Sequence, residues 1–272
     1  MNTEQLQTNL IYHGTHSHVG RYEAVTQANS AMKHLGYARI RLNETKPRVG
    51  FDTGGREIGL MCLSGEGTVA VGGRTYGLQR YDSIYIPRST QVEVSTTSVL
   101  DLAECSADVE NAYPVQYVPY TSVKDDPTLV FTAGGPASTR HLNILLGKNV
   151  TAGRIVMGIT TTDPGHWASW PPHEHTDMLE ELYVYCEMPA PAFGVQFVYT
   201  DPLNMEFIGA VREGDAVIMP AGYHPNVACP GHSITFIWMM AAHREVEDRQ
   251  FGVVNVQPDF AAGGSGLEAS RK

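Results

Sequence analysis

Residues 214–225 read G-D-A-V-I-M-P-A-G-Y-H-P, and this stretch decides the fold. An acidic turn leads into a short apolar run that a proline ends, which is typical of a short strand between two turns. Residues 81–87, Y-D-S-I-Y-I-P, match its first part in the positions of the acid, the β-branched residues and the closing proline. The repeat predicts an internal duplication, with one β-rich unit in each half of the chain.

Short apolar runs separated by Gly- and Pro-containing turns continue outward from both copies of the repeat. The chain has 272 residues, of which 42% are apolar, 18% are charged, 27 are Gly and 16 are Pro, and this balance favours short strands over long helices. Residues 22–35 are the one segment where we expect a helix. We predict strands at residues 58–63, 68–71, 74–78, 82–87, 91–96, 154–161, 182–186, 193–200, 216–220 and 233–240.

We therefore predict an all-β protein made of two barrel halves. The first unit covers residues 1–120 and has no histidine within its barrel phrases, so we expect a metal-free scaffold there. The second covers residues 121–260 and is expected to bind metal. The Gly- and Ser-rich end, residues 261–272, is expected to be a disordered tail.

The net charge of −10 argues against nucleic acid and anionic membranes as partners. A small anionic substrate stays possible, because a local Arg or metal ion can reverse the field inside a cleft. No signal peptide and no apolar run of membrane-spanning length is recognisable, so we expect a cytoplasmic protein. The four cysteines form no CxxC pair, and we expect reduced, buried thiols.

The histidines mark the candidate metal site. Of eleven, four precede residue 35 and seven lie in the second half. His173 and His175 share one face of an extended strand, with Cα atoms about 7 Å apart. His224 and a carboxylate from Glu180 or Glu181 are plausible further ligands. Three imidazoles and one carboxylate suit Zn, Mn, Fe, Co or Ni, and a six-coordinate ion keeps two positions open for substrate.

These motifs resemble those of the cupins, which are double-stranded β-barrels, and more narrowly those of the 5-deoxyglucuronate isomerases of inositol catabolism. The 5-keto-4-deoxyuronate isomerases of pectin breakdown are related to that family. The resemblance rests on the phrases RHLNI at 140–144, WASWPPHEH at 167–175, LEELY at 179–183, FVYTD at 197–201 and VIMPAGYHP at 217–225.

The resemblance implies a bicupin that interconverts the aldose and ketose forms of an acidic deoxy sugar with a divalent metal, usually zinc. Carried over to this sequence, the ligands are His173, His175, Glu181 and His224. General cupin spacing selects Glu180 instead of Glu181. Phe197 stands where both isomerase groups tend to place an Arg, and residues 235–241 look more like the pectin-pathway enzymes.

Isomerisation through an enediol or a hydride shift needs a proton-handling group near the ligands. The candidates are Tyr183, Tyr199, Asp201, Tyr223 and Glu180. For each of them a structural role is the alternative, since barrel tyrosines commonly fill the interior and Asp201 precedes a proline at a turn. The candidates for binding a substrate carboxylate are Arg140, Arg154 and Arg212.

Three alternative functions stay open at this point. The chain can be an isomerase of another anionic sugar, such as 5-keto-4-deoxyuronate, a hexuronate or a sulfosugar. It can also be a cupin dioxygenase, since three His and one Glu hold iron for oxygen chemistry, or a sugar-binding bicupin without turnover. We expect a small-molecule sugar acid as the partner and a homo-oligomer as the assembly.

Overall fold

The computed structural model describes residues 9–263, 266 and 267, and their regular structure is almost entirely β. The two helical segments are short 3-10 helices, Tyr120–Ser122 and Pro258–Gly263. This confirms the all-β prediction. None of the described helical segments is long and apolar enough to span a membrane.

The strands follow one another in two groups along the chain. The first group is β1 (Ile11–Tyr12), β2 (Gly20–Val25), β3 (Leu35–Leu42), β4 (Arg48–Asp52), β5 (Arg56–Gly65), β6 (Gly67–Val71), β7 (Arg74–Leu78), β8 (Ser83–Ile86), β9 (Gln91–Ser95), β10 (Leu100–Asp108) and β11 (Gln116–Val118). The second group is β12 (Val130–Ala133), β13 (Arg140–Leu146), β14 (Ile155–Thr162), β15 (Trp167–Ala168), β16 (His173–Glu174), β17 (Leu179–Tyr185), β18 (Gly194–Val198), β19 (Phe207–Val211), β20 (Ala216–Met219), β21 (Asn226–Ala228), β22 (Thr235–Ala242) and β23 (Asn255–Val256).

Each half combines a large antiparallel sheet with a four-stranded one. The first half has the sheets β11-β8-β5-β10-β3-β2 and β4-β9-β6-β7, and apolar side chains from both sheets fill its interior. The second half has the sheets β1-β20-β17-β22-β14-β13-β12 and β15-β21-β18-β19. A larger apolar core contains residues of both halves, so the two barrels pack against each other through it.

The duplicated phrase occupies equivalent places in the two barrels. It forms β8 in the first barrel and β20 in the second. Tyr81 and Gly214, just before the acids, both have positive φ, 69° and 79°. Asp82 then accepts a hydrogen bond from the backbone N–H three residues earlier at 2.9 Å, and Asp215 does the same at 3.0 Å. The predicted internal repeat is therefore visible in the backbone.

One edge strand of the second barrel comes from the first half of the chain. β1, at the start of the chain, pairs with β20 of the second barrel, whereas β11 pairs with β8 of the first. Assigning all of residues 1–120 to the first unit therefore misplaces β1, whose hydrogen-bond partners lie more than 200 residues away. Long-range pairing of this kind leaves no local sequence signal.

Two other expectations need correction. Residues 22–35 are not helical: they contain most of β2, a turn region and the first residue of β3, because pairing with β3 satisfies the backbone of β2. The predicted tail, 261–272, lies largely outside the described residues. Its described part completes the second 3-10 helix at 261–263 and buries Gly266.

Candidate metal centre

Three buried side chains of the second barrel converge on one point. Nε2 of His175 lies 3.0 Å and Nε2 of His224 lies 3.1 Å from Oε2 of Glu181. The donor atoms of all three residues lie within 4.8 Å of one another. The imidazole ring of His173 is close by, with its centroid 5.1 Å from that of His224. The structure thus brings together all four side chains that the resemblance implies as ligands.

The protonation of the imidazoles is set by the backbone. Nδ1 of His173, His175 and His224 lies 2.9, 3.0 and 2.9 Å from the carbonyl oxygens of Pro171, Leu179 and Gly222. A carbonyl oxygen only accepts, so each Nδ1 carries the hydrogen and each Nε2 keeps its lone pair. This is the tautomer that a metal-binding histidine needs.

In this arrangement the hydrogen-bond acceptors of two imidazoles face those of a carboxylate. The Nε2 lone pairs of His175 and His224 face the Glu181 carboxylate, and Nε2 of His224 is buried without a hydrogen-bond partner among the described residues. Acceptors held at about 3 Å repel one another unless a cation lies between them. The donor set therefore fits a divalent ion with nitrogen and oxygen ligands.

The charges of the cluster favour a cation beside Glu181, and a proton on an imidazole can meet that need in place of a metal ion. Burial raises the pKa of Glu181, but hydrogen bonds and charge interactions with His175 and His224 outweigh it and lower that pKa to about 2. Burial, reinforced by the neighbouring imidazoles, lowers the pKa of His173 to about 3. Burial also opposes protonation of His175, yet its bond to Glu181 leaves the pKa of this histidine raised. At neutral pH the carboxylate is ionised and His173 is neutral.

Local backbone features hold these side chains in place. His173, the first candidate ligand, lies in β16. This strand pairs with β23, so the C-terminal part of the chain holds His173 in position. The backbone N–H of Gly222 donates to the Thr176 hydroxyl at 3.0 Å. Gly222 has φ +92°, and a Cβ there would lie 2.6 Å from the Tyr199 carbonyl oxygen. Only glycine permits this turn, which aims His224 at the cluster.

A pocket opens onto the cluster from the barrel interior. Besides the ligands His173, His175 and Glu181, its polar wall contains Arg140 and Tyr183. The rest of the lining is mainly apolar and comes from distant parts of the chain, namely Leu142, Leu179, Phe236, Trp238, Met240, residues 251–254 and Leu267, with Thr160 and Ser169 as further polar members. Sequence reasoning missed most of this wall, since residues 251–254 and 267 carry no motif.

Comparison with known proteins identifies the family. The sequence profile of the KduI/IolB family matches residues 10–257. The chain belongs to this family. This confirms the resemblance to the 5-deoxyglucuronate and 5-keto-4-deoxyuronate isomerases.

Individual relatives agree with that assignment. The chain is 32% identical over 166 residues to the 5-deoxy-glucuronate isomerase of Geobacillus thermodenitrificans, and this match covers 58% of the chain and 59% of the relative. It is 25% identical over 261 residues to the 5-deoxy-glucuronate isomerase of Lacticaseibacillus casei, covering 87% of the chain and 93% of the relative. The matched segment thus spans less than two thirds of the Geobacillus protein.

Solved structures show the same fold. The crystal structure of an IolB-like protein from Salmonella typhimurium LT2 superposes with a TM-score of 0.82 at 24% identity, covering 93% of this chain and 98% of that one. An oxalate decarboxylase structure has a TM-score of 0.65 at 10% identity, covering 92% and 79%. The bicupin architecture of this KduI/IolB family member is thus shared with these proteins.

Of the two adjacent acids of this family member, only Glu181 reaches the cluster. Neighbouring residues of a strand point to opposite faces. Both carboxylate oxygens of Glu180 accept backbone N–H groups of the first barrel, from Lys33, His34 and Leu35 at 2.8, 2.7 and 2.5 Å. Glu180 is therefore removed from the candidate bases.

Among the predicted tyrosines, Tyr183 alone lines the pocket. Its hydroxyl lies 2.7 Å from that of Ser169, and burial raises its pKa well above the usual value. Tyr199 donates to Gln257 at 2.7 Å and packs against the half-buried Tyr223, away from the pocket lining. Asp201 is exposed and accepts hydrogen bonds within its own turn, as its alternative role predicted.

The three predicted arginines are also separated by the structure. Arg140 is buried in the pocket wall. Arg154 donates to the carbonyl oxygens of Asp108, Ala242 and His243, so its guanidinium joins backbone segments of the two halves. Arg212 is exposed on the surface. Only Arg140 is in a position to meet a molecule in the pocket.

Among the described residues, the first barrel shows no equivalent cluster of candidate ligands. In the second barrel Glu181 pairs with Met219, and in the first barrel Ile58 pairs with Ile86. Ile86 and Met219 are the same position of the repeat, so Ile58 occupies the place of the carboxylate ligand. The interior around Ile58 is a continuous apolar cluster. This packing supports a scaffold role for the first barrel.

Proposed function

We propose that this protein is a metal-dependent aldose-ketose isomerase of an acidic deoxy sugar, most like the conversion of 5-deoxy-glucuronate to 2-deoxy-5-keto-gluconate. The observation that carries the proposal is the set of imidazole Nε2 lone pairs turned toward the ionised Glu181 at the wall of a pocket. The curated relatives named 5-deoxy-glucuronate isomerase support the choice of reaction and substrate class.

The donor set selects the kind of ion. Three imidazole nitrogens and one carboxylate oxygen suit zinc, and Mn, Fe, Co or Ni accept the same donors. We propose zinc, held by His173, His175, Glu181 and His224. When bound, such an ion is a Lewis acid that polarises the carbonyl and hydroxyl oxygens of the sugar.

Tyr183 and Ser169 are proposed to handle protons on the substrate oxygens. Either hydroxyl of the pair can be the donor in their 2.7 Å hydrogen bond. Because burial raises the pKa of Tyr183, its hydroxyl stays protonated at neutral pH and donates to a developing oxyanion. The change from aldose to ketose moves one hydrogen from a carbon to the neighbouring carbonyl carbon and one proton between the two oxygens. In a direct hydride shift between the carbons, the pair can accept the proton of the sugar hydroxyl and return it to the neighbouring oxygen.

The apolar part of the wall has a separate role. Phe236, Trp238 and Met240 project from β22 into the pocket lining and are almost fully buried. Such a wall excludes water, which strengthens the hydrogen bonds that Tyr183 makes inside the site. It also leaves the ligand cluster, Arg140 and a few hydroxyl groups as the polar contacts that orient a sugar.

The test is NMR of a panel of sugar acids incubated with the purified protein in deuterated water. We expect conversion of an acidic aldose to its ketose without nucleotide or oxygen, and loss of conversion in His224→Ala. His141→Ala is the matched control, because His141 is exposed outside the pocket, and it should retain turnover. Oxygen uptake coupled to turnover would instead identify a dioxygenase. Binding of sugar acids without any product would identify a binding protein.

A further inference from the structure

Arg140 is a buried cation without an anionic partner. Arg140 is the first residue of β13 and is only 3% exposed. It lines the same pocket as the ligand cluster. The hydrogen bond it makes to a described residue is a long one, from Nη1 to the Ser138 carbonyl oxygen at 3.4 Å. It forms no salt bridge with any acidic residue in the described part of the chain, and the charged form is opposed mainly by burial.

Other buried or half-buried arginines of this protein have stronger partners. Arg39 makes a bidentate pair with Asp101, at 2.5 and 2.9 Å. Arg249 donates to three backbone carbonyl oxygens, at 2.8, 3.0 and 2.8 Å. A buried guanidinium normally needs such partners, because removing it from water is costly. Arg140 is the exception, and it is the one that faces the pocket.

The guanidinium nevertheless keeps its charge. Burial lowers the pKa of Arg140 to about 10, which still leaves the group protonated at neutral pH. The strand in which the related isomerases tend to place an Arg has Phe197 here, and this ring stacks on Trp167 outside the pocket lining. Among the described residues of the lining, Arg140 is the only Arg or Lys.

We propose that Arg140 binds the carboxylate of the substrate and makes the pocket selective for sugar acids over neutral sugars. The inference rests on the proposed function, whose site it completes with a group that binds the acid of the sugar. A carboxylate matches the planar guanidinium with two parallel hydrogen bonds and supplies the missing counter-charge. Tyr183 lines the same pocket and can donate a hydrogen bond to a molecule bound there.

The test compares two ligands that differ only in charge, D-glucuronate and D-glucuronamide, by calorimetric titration of the metal-loaded protein. We expect the wild type to bind glucuronate about 10- to 100-fold more tightly than the amide. Arg140→Gln should lose this preference to within about threefold, whereas Arg140→Lys should retain part of it. Arg212→Gln, at an exposed position, is the matched control and should keep the full preference.

The outcomes separate this inference from the proposed function. A preference for glucuronate in the wild type that disappears in Arg140→Gln supports the inference even if no sugar acid is isomerised. Equal binding of the two ligands by the wild type overturns it, and this comparison needs no variant that has to fold. Isomerisation of a sugar acid by Arg140→Gln with an unchanged KM also overturns it. Metal content and thermal unfolding of Arg140→Gln should match the wild type.

Discussion

Glu57 and Glu180 are equivalent residues of the two barrels, and each binds three consecutive backbone N–H groups of the opposite half. Glu57 accepts from residues 153, 154 and 155 at 2.8, 2.6 and 2.8 Å, and from the Tyr85 hydroxyl at 2.8 Å. Glu180 accepts from residues 33, 34 and 35. They come directly before Ile58 and Glu181, which occupy equivalent positions in the two barrels. Glu180, next to the candidate ligand Glu181, thus connects the two barrels through hydrogen bonds.

Removing the carboxylate of Glu180 should destabilise the protein without loss of bound metal. Glu180→Ala leaves three backbone N–H groups without their acceptor, and we expect a loss of about 3 kcal/mol in the free energy of unfolding. Urea unfolding measures this. Glu93→Ala, at an exposed strand position, is the control and should change stability by less than about 0.5 kcal/mol. Loss of bound metal in Glu180→Ala, with unchanged stability, would reverse the roles assigned to the two glutamates.

A substitution in the apolar core of the first barrel should lower the stability of the protein without changing its metal content. Ile58 is 2% exposed in its apolar core. We expect Ile58→Ala to cost about 2–5 kcal/mol of unfolding free energy, because it leaves a cavity. The bound metal per folded chain should stay at the wild-type value. A variant that folds stably but binds less metal would show that the first barrel contributes to the centre.

Tyr183 and Ser169 should affect turnover more than metal binding. We expect Tyr183→Phe to lower kcat by about 100-fold, in the range of general acid-base contributions, and Ser169→Ala to lower it less. Metal content should be unchanged in both, since neither hydroxyl belongs to the ligand cluster. Tyr199→Phe is the matched control, because its hydroxyl binds Gln257, and its kcat should fall by less than about threefold. Wild-type kcat in Tyr183→Phe would remove this tyrosine from the mechanism.

Removing the metal should destabilise the wild type selectively. A ligand present at 100 times its dissociation constant stabilises the folded state by about 2.7 kcal/mol. For a chain of this size we expect dialysis against a chelator to lower the thermal midpoint by on the order of 5 °C. Glu181→Gln should show almost no shift, because it has little metal to lose. An equal shift in both proteins would mean that the chelator acts elsewhere.

The sequence predicts the local parts of this structure and not the long-range ones. Turn residues and alternating patterns placed the ten predicted strands within a few residues of ten of the 23 observed in the described part of the chain, because those signals are local. The other strands, among them β3, β10 and β13, were not predicted. The spacing of His173 and His175 and the repeat ending near His224 indicated the candidate centre. The pairing of β1 with the second barrel has no local signal, and neither does the contribution of residues 251–254 to the pocket. General cupin spacing selected Glu180 and the resemblance selected Glu181, and the contacts of the two carboxylates on opposite faces of β17 decide for Glu181.

The central claim is tested most directly by metal analysis of the purified wild type, Glu181→Gln and Glu180→Gln, together with anomalous diffraction from crystals of the wild type. We expect about one divalent ion per wild-type chain, located between His173, His175, Glu181 and His224. Glu181→Gln should lose most of it and Glu180→Gln should keep it. A wild-type protein that binds no ion at this position under metal-replete conditions, or a Glu181→Gln variant with full occupancy, would contradict the account.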